Sequence, residues 1–167
     1  MTNYTVGDWT VSDNVTDTLT TPKNISVPDL DFAVDYKKVL DEPTEAKIAN
    51  ITGPDLLSHE DVRFARSDVA NIYAGVSIDS ALVLPQKKGV QVMCELSNTY
   101  RAANSVTGNE YDLPCKGRIV LRFPAFTCVT SDLVKDLLIR TISAAFDTGS
   151  TNANRIMELA RGALLPD

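Results

Sequence analysis

The chain has 167 residues and a mass of 18.2 kDa, the size of one ordinary domain that buries about two thirds of the surface its unfolded chain exposes. Hydrophobic residues make up 44% and charged residues 23%, which excludes wholesale disorder and collagen-like or coiled-coil composition. The formal charge of −6 argues by itself against a nucleic-acid partner, because phosphate binding needs a basic surface.

That average conceals an asymmetry. Residues 1 to 60 carry four lysines and eleven carboxylates, net −7, whereas residues 61 to 167 carry twelve basic and eleven acidic side chains, net +1. Between Gln86 and Arg122 the balance is +3. An acidic first third and a basic later stretch could lie on opposite surfaces of one molecule; ordinary solvated charge is the simpler alternative.

The first twenty residues predict a β-hairpin, Tyr4 to Val11 and Val15 to Thr20 around the turn formers Ser12-Asp13-Asn14. Pro22, Pro28 and Pro43 punctuate an extended connection over 22 to 44, with a short strand near Phe32 to Val39. Glu45 to Thr52 and Asp61 to Ile78 read as strands, the second broken near Ser67-Asp68, since Val62, Phe64, Val69, Ile72, Tyr73, Val76 and Ile78 favour a pleated surface. Lys88 to Ser97 alternates cleanly, with Val90, Val92, Cys94 and Leu96 on the core side and Gln91, Met93, Glu95 and Ser97 on a polar side.

A long polar loop is expected from Asn98 to Lys116, centred on Gly108-Asn109, and loops of that length usually carry function. Arg118 to Phe126 is a second alternating strand, with Ile119, Leu121 and Phe123 inward and Pro124 marking an edge position or a strand end. Thr130-Ser131-Asp132 supplies an N-cap and an acidic first turn for a helix to about Phe146. A second helix runs from about Asn152 to Leu165 and stops at Pro166. Strands followed by two terminal helices make an α+β protein rather than alternating βαβ units. Two wide-faced helices could cover the apolar face of one antiparallel sheet, and a partner subunit could share that burial.

The chemistry of an enzyme lacks its residues. The single histidine, His59, stands in Ser58-His59-Glu60 without a nucleophile motif, and GxxxxGK[ST], GxGxxG and HExxH are absent. Cys94, Cys115 and Cys128 contain no CxxC pair, which argues against a disulfide scaffold and a zinc site. Asp29, Asp31 and Asp35 lack the spacing and glycine of a calcium loop. No cofactor or metal is expected. No apolar run approaches the roughly 18 to 20 residues of a membrane span, and residues 1 to 8 form neither a basic start nor an apolar signal core, so synthesis in a cytoplasm is expected.

Taken in order and spacing, Lys88-Gly89-Val90-Gln91-Val92-Met93-Cys94-Glu95-Leu96, the loop to Cys115, Arg118-Ile119-Val120-Leu121-Arg122-Phe123-Pro124-Ala125-Phe126, the capped helix and the short final helix resemble the coat proteins of single-stranded RNA bacteriophages of the levivirus type. Pro43 to Thr52 and Ser67 to Tyr73 resemble divergent members, so the likeness covers about 45 to 167, and the N-terminal hairpin fits in kind. The resemblance implies a single domain over 1–167. It would comprise an outer hairpin over 1–21, a five-stranded antiparallel sheet over 45–126 whose loop 98–116 gathers at symmetry axes, and two helices over 131–165 that pack across the sheet of a second subunit.

The resemblance further implies a homodimer that assembles into an icosahedral shell around single-stranded RNA, a virion protein made in a bacterial cytoplasm with no membrane or small-molecule partner. In the family, the inward sheet face also binds a genomic hairpin and represses replicase translation. Matched position by position, Gln91, Met93, Glu95, Lys116 and Arg118 fall on that face. Arg122, Lys87 and Lys88 would add cations, and Tyr73 a ring to stack on an unpaired base. Met93 stands where a basic side chain is common, so bulk packaging is expected ahead of hairpin recognition, and a solvated strand face is the other reading of Arg118 and Arg122. Cys115 occupies the loop in which some members form disulfides between subunits. The competing class is a non-enzymatic β-rich binding module, such as a tail or adhesion subunit, which would form a small oligomer free of nucleic acid.

Overall fold

The computed structural model describes residues 3–6, 9–12, 30–52, 59–103, 107–146 and 154–162. The chain divides into two compact units, one made of 1–28 with 126–167 and one of 29–125.

The N-terminal part of the first unit is a hairpin, β1 (Asn3–Val6) and β2 (Trp9–Ser12), with Val6 opposite Trp9. Ser12 therefore belongs to β2, paired with Asn3, and is not part of the turn of this hairpin. The strand expected over 15–20 lies outside the described residues.

Residues 29–125 carry a five-stranded antiparallel meander in sequence order: β3 (Tyr36–Glu42), β4 (Glu45–Asn50), β5 (Asp61–Val69), β6 (Gly89–Ala103) and β7 (Glu110–Pro124). The sheet thus begins at Tyr36, ahead of the expected Glu45. β3 is an edge strand with a register shift between Lys38 and Leu40, and such an irregularity discourages pairing with another chain. β5 ends at Val69, short of the expected Ile78. Asn71 Oδ1 accepts the Tyr73 N–H at 3.0 Å and Gly75 has φ +80, so turn chemistry overrides the β-propensity of Ile72 to Ile78.

The largest departure from expectation is the segment 98–116. It is not a long loop: Asn98 to Ala103 and Glu110 to Lys116 are paired strand, continuing the β6–β7 register from Gly89↔Pro124 to Ala103↔Glu110. Alternation persists there beneath a polar composition. Tyr100, Ala102, Tyr111 and Leu113 share one face, while Arg101 on the other meets Asp112 at 3.0 Å and Glu110 at 3.8 Å. β5 accompanies β6 only to Ser97, so the ribbon beyond it is two-stranded. At its other end β6 needs glycine: a Cβ on Gly89 would stand 2.9 Å from the Phe123 carbonyl oxygen and 3.0 Å from Ile72 Cδ1.

The register assigns the faces. Ile48, Val62, Phe64, Val92, Cys94, Ile119 and Leu121 lie on one side, where Val62 and Leu121 are buried. Phe32 stacks edge-on against Tyr36 and Phe64, and the Tyr36 hydroxyl donates to Glu60, whose other oxygen accepts from Asn98 Nδ2 at 3.2 Å. Burial and the Glu60 carboxylate raise the Tyr36 phenol above its ordinary pKa. Cys94 is on this apolar side as expected but is exposed, not core.

The C-terminal part of the first unit holds α1 (Ser131–Ser143) and α2 (Asn154–Ala160). Thr130 Oγ1 accepts the Leu133 N–H at 3.3 Å and Asp132 lies in the first turn, so the cap stands where expected. α1 ends before the expected Phe146, and α2 ends at Ala160, short of the expected Leu165, while 152, 153 and 163 to 165 of the expected helix lie outside the described residues. No residue of α1 is buried, and Leu137, Ile142, Ile156, Met157 and Leu159 are all exposed.

Candidate nucleic-acid interface

The other side of the sheet is polar because β5, β6 and β7 alternate in phase. Cross-strand pairing sets four rows on it: Ser67–Gln91–Arg122, then Glu45–Ala65–Met93–Val120, then Lys47–Arg63–Glu95–Arg118, then Ala49–Asp61–Ser97–Lys116. Lys47, Arg63, Lys116, Arg118 and Arg122 outnumber Glu45, Asp61 and Glu95 across these rows. Within the second row Ala65, Met93 and Val120, the last 46% exposed, form an apolar strip that ends at Glu45 and lies between the two charged neighbouring rows.

Most of these cations are already engaged. Arg118 donates to Glu95 through Nη2 and through Nε at 2.7 Å, and Lys116 Nζ lies 3.3 Å from the same carboxylate. Arg63 grips Glu45 in a two-pronged pair at 2.7 and 2.9 Å. Lys47 Nζ is 2.9 Å from Asp61. Hydrogen bonds from Arg118 hold the Glu95 carboxyl below its ordinary pKa, with Lys116 adding to the effect, and Arg63 does the same for Glu45. Glu95 is only 4% exposed, a position tenable for a carboxylate because two cations reach it. Arg122 differs: its guanidinium donates at 2.8 and 3.3 Å to the neutral Gln91 amide oxygen, which leaves its charge available to an incoming anion.

Gln91, Met93, Glu95, Lys116, Arg118 and Arg122 are therefore brought together on one face, as the alternation required. Lys87 and Lys88 are exposed at the foot of β6, where their carbonyls accept from Ile72 and Ala125. Tyr73 is not with them. It sits in the turn after β5, half-buried, with its hydroxyl accepting the Leu84 N–H at 3.4 Å. Cys115 is exposed in β7 opposite Asn98 and not in a loop, a correction that follows from the length of the ribbon. Lys47, Arg63 and Asp61 went unremarked as site residues in the sequence. The period of two from Asp61 through Arg63, Ala65 and Ser67 was the signal that could have found them.

No protein-family model matches the chain, and no curated protein matches it. Solved structures do. A chain of the virus-like particle of bacteriophage AVE015 superposes with a TM-score of 0.82 at 23% identity, covering 93% of this chain and 96% of that one. The fold is that of a phage coat protein. A chain of the virus-like particle of bacteriophage GQ-112 shares this coat fold with a TM-score of 0.76 at 20% identity, covering 93% and 97%. The expected architecture, a five-stranded antiparallel sheet followed by two helices, is the one observed.

Proposed function

We propose that this coat-fold chain is the structural subunit of a phage capsid, that it dimerises and closes into an icosahedral shell, and that the polar sheet face holds single-stranded RNA inside it. The observation that carries the reading is the division of the sheet in a coat fold: one face apolar, the other bearing Lys47, Arg63, Lys116, Arg118 and Arg122 around an apolar strip. Cations at strand spacing neutralise phosphates and release counterions, and the strip of Ala65, Met93 and Val120 offers flat apolar area to unpaired bases. With Lys116, Arg118, Arg63 and Lys47 each sharing a carboxylate, such binding is weakly cationic and suits packaging of many sequences better than one tight hairpin. The exposed apolar residues of α1 and α2 support dimerisation, since burying them against a second subunit removes that surface from water. The reading places the protein in the virion and gives it a structural role in place of catalysis.

The test is light scattering on the chain expressed in bacteria, first as assembled and then after acid dissociation. A particle of many subunits that yields a dimer, with nucleic acid protected from nuclease before dissociation and digested after it, supports the reading. A stable monomer without nucleic acid contradicts it.

A further inference from the structure

Glu95 is placed unlike the other charged groups of the polar face. Its side chain is 5% exposed, whereas those of Arg118 and Lys116, which reach it from β7, are 53% and 58% exposed. The carboxylate is fixed within the sheet while its two cations sit on long stems open to solvent. Arg118 donates to Oε2 through both Nε and Nη2, and Lys116 Nζ stands 3.3 Å from Oε1, so these two residues serve both oxygens. A phosphate brings acceptor oxygens of the same kind, and an RNA backbone laid on the face therefore competes with Glu95 for Arg118 and Lys116.

The other groups facing Glu95 offer no replacement. On β5 its register partner is Arg63, but Arg63 Nε and Nη2 are held by the Glu45 carboxylate of β4 at 2.7 and 2.9 Å. That pair sets one positive and one negative charge near Glu95, and the two offset one another. Lys47, at the β4 end of the same row, is 2.9 Å from Asp61. On β6 itself the neighbours on this face, Met93 and Ser97, carry no charge. Bonds from Arg118 hold the Glu95 carboxyl below its ordinary pKa while burial pushes it up. Drawing Arg118 and Lys116 away removes the first influence and keeps the second.

We infer that Glu95 is an internal competitor for RNA phosphates: a bound strand draws Arg118 and Lys116 off its carboxylate, and the carboxylate, which cannot follow them to solvent, takes up one proton from the solution. RNA binding is thereby coupled to proton uptake, and by reciprocity a lower pH tightens RNA binding. The inference rests on the reading of that face as the RNA side.

The experiment measures binding of one labelled ribo-oligomer of mixed sequence to the dissociated full-length protein by fluorescence anisotropy, at constant salt, between about pH 7.5 and pH 5. Wild type is compared with Glu95→Gln, which keeps the shape and an acceptor oxygen but cannot titrate, and with His59→Gln, which removes the single histidine. Wild-type affinity should rise as pH falls, by about threefold or more over the range and by no more than about tenfold per pH unit, the limit for one proton. Glu95→Gln should bind at the upper pH about as tightly as wild type does at the lower one, without a slope. His59→Gln should keep the wild-type slope. Should Glu95→Gln fail to fold, calorimetry of RNA binding to wild type and His59→Gln, in two buffers of different ionisation enthalpy, decides by whether protons are taken up. Wild-type affinity that does not change with pH, a slope that survives Glu95→Gln or vanishes with His59, or the absence of proton uptake overturns the inference and leaves the RNA reading intact. Failure of wild type to bind the oligomer at any pH overturns both.

Discussion

Replacing Glu95 by Gln removes the one carboxylate that Arg118 and Lys116 share, and its consequences run in two directions. The folded protein holds this carboxyl below the ordinary value of 4.5, so its contribution to stability is present above that pH and is lost as pH falls through the folded-state value. Melting temperature should therefore drop on acidification below about pH 4.5, and Glu95→Gln should flatten that drop, as thermal melts between pH 7 and 3 will read. The same variant frees two cations and should raise RNA affinity and steepen its salt dependence. Arg122→Ala should do the opposite, weakening all sequences alike and reducing the salt slope by about 1, while Arg118→Ala, whose charge is already held, weakens RNA less but destabilises the fold. Fluorescence anisotropy in a salt series separates the two arginines. Tyr36→Phe leaves Glu60 short of a donor and should cost about 1 to 3 kcal/mol, read as a lower melting temperature.

The two helices and the long ribbon show what an element can and cannot announce in sequence. Thr130-Ser131-Asp132 was legible because a cap is a local device, and Thr130→Ala should cost about 1 kcal/mol, a fall of about 2 to 4 °C in melting temperature. The strands of residues 90–97 and 118–123 were legible because one face must be apolar. Asn98 to Lys116 was not: the ribbon past β5 is two-stranded, and beside Tyr100, Ala102, Tyr111 and Leu113 on one face the charges of Arg101, Glu110 and Asp112 on the other give it a polar composition that looks like a loop. Tyr73 failed for the reverse reason, because Asn71 and Gly75 dictate a turn whatever β-formers lie between them. Of the candidate face, the residues on β6 and β7 were legible from alternation, whereas the pairing of Arg63 with Glu45 and of Lys47 with Asp61 depends on register between distant segments, which no single segment encodes.

At the scale of the whole molecule, the charge asymmetry acquires a use. The sheet that carries the basic stretch presents its cations together, so a chain of net charge −6 still has a face on which the proposed RNA packaging could take place. Apolar residues of α1 and α2 stand exposed, and covering them takes a second subunit in the proposed dimer. Leu137→Asp with Ile142→Asp should therefore abolish the dimer, and with it any shell, while leaving the circular dichroism of the sheet in place. The central claim, that copies of this chain close into a shell around RNA, is tested most directly by negative-stain electron microscopy of the purified protein after nuclease treatment, with its ultraviolet absorbance ratio read on the same sample. Uniform closed particles with the absorbance of protected nucleic acid are the predicted result; small particles with the absorbance of protein alone, at every salt and protein concentration, would contradict it.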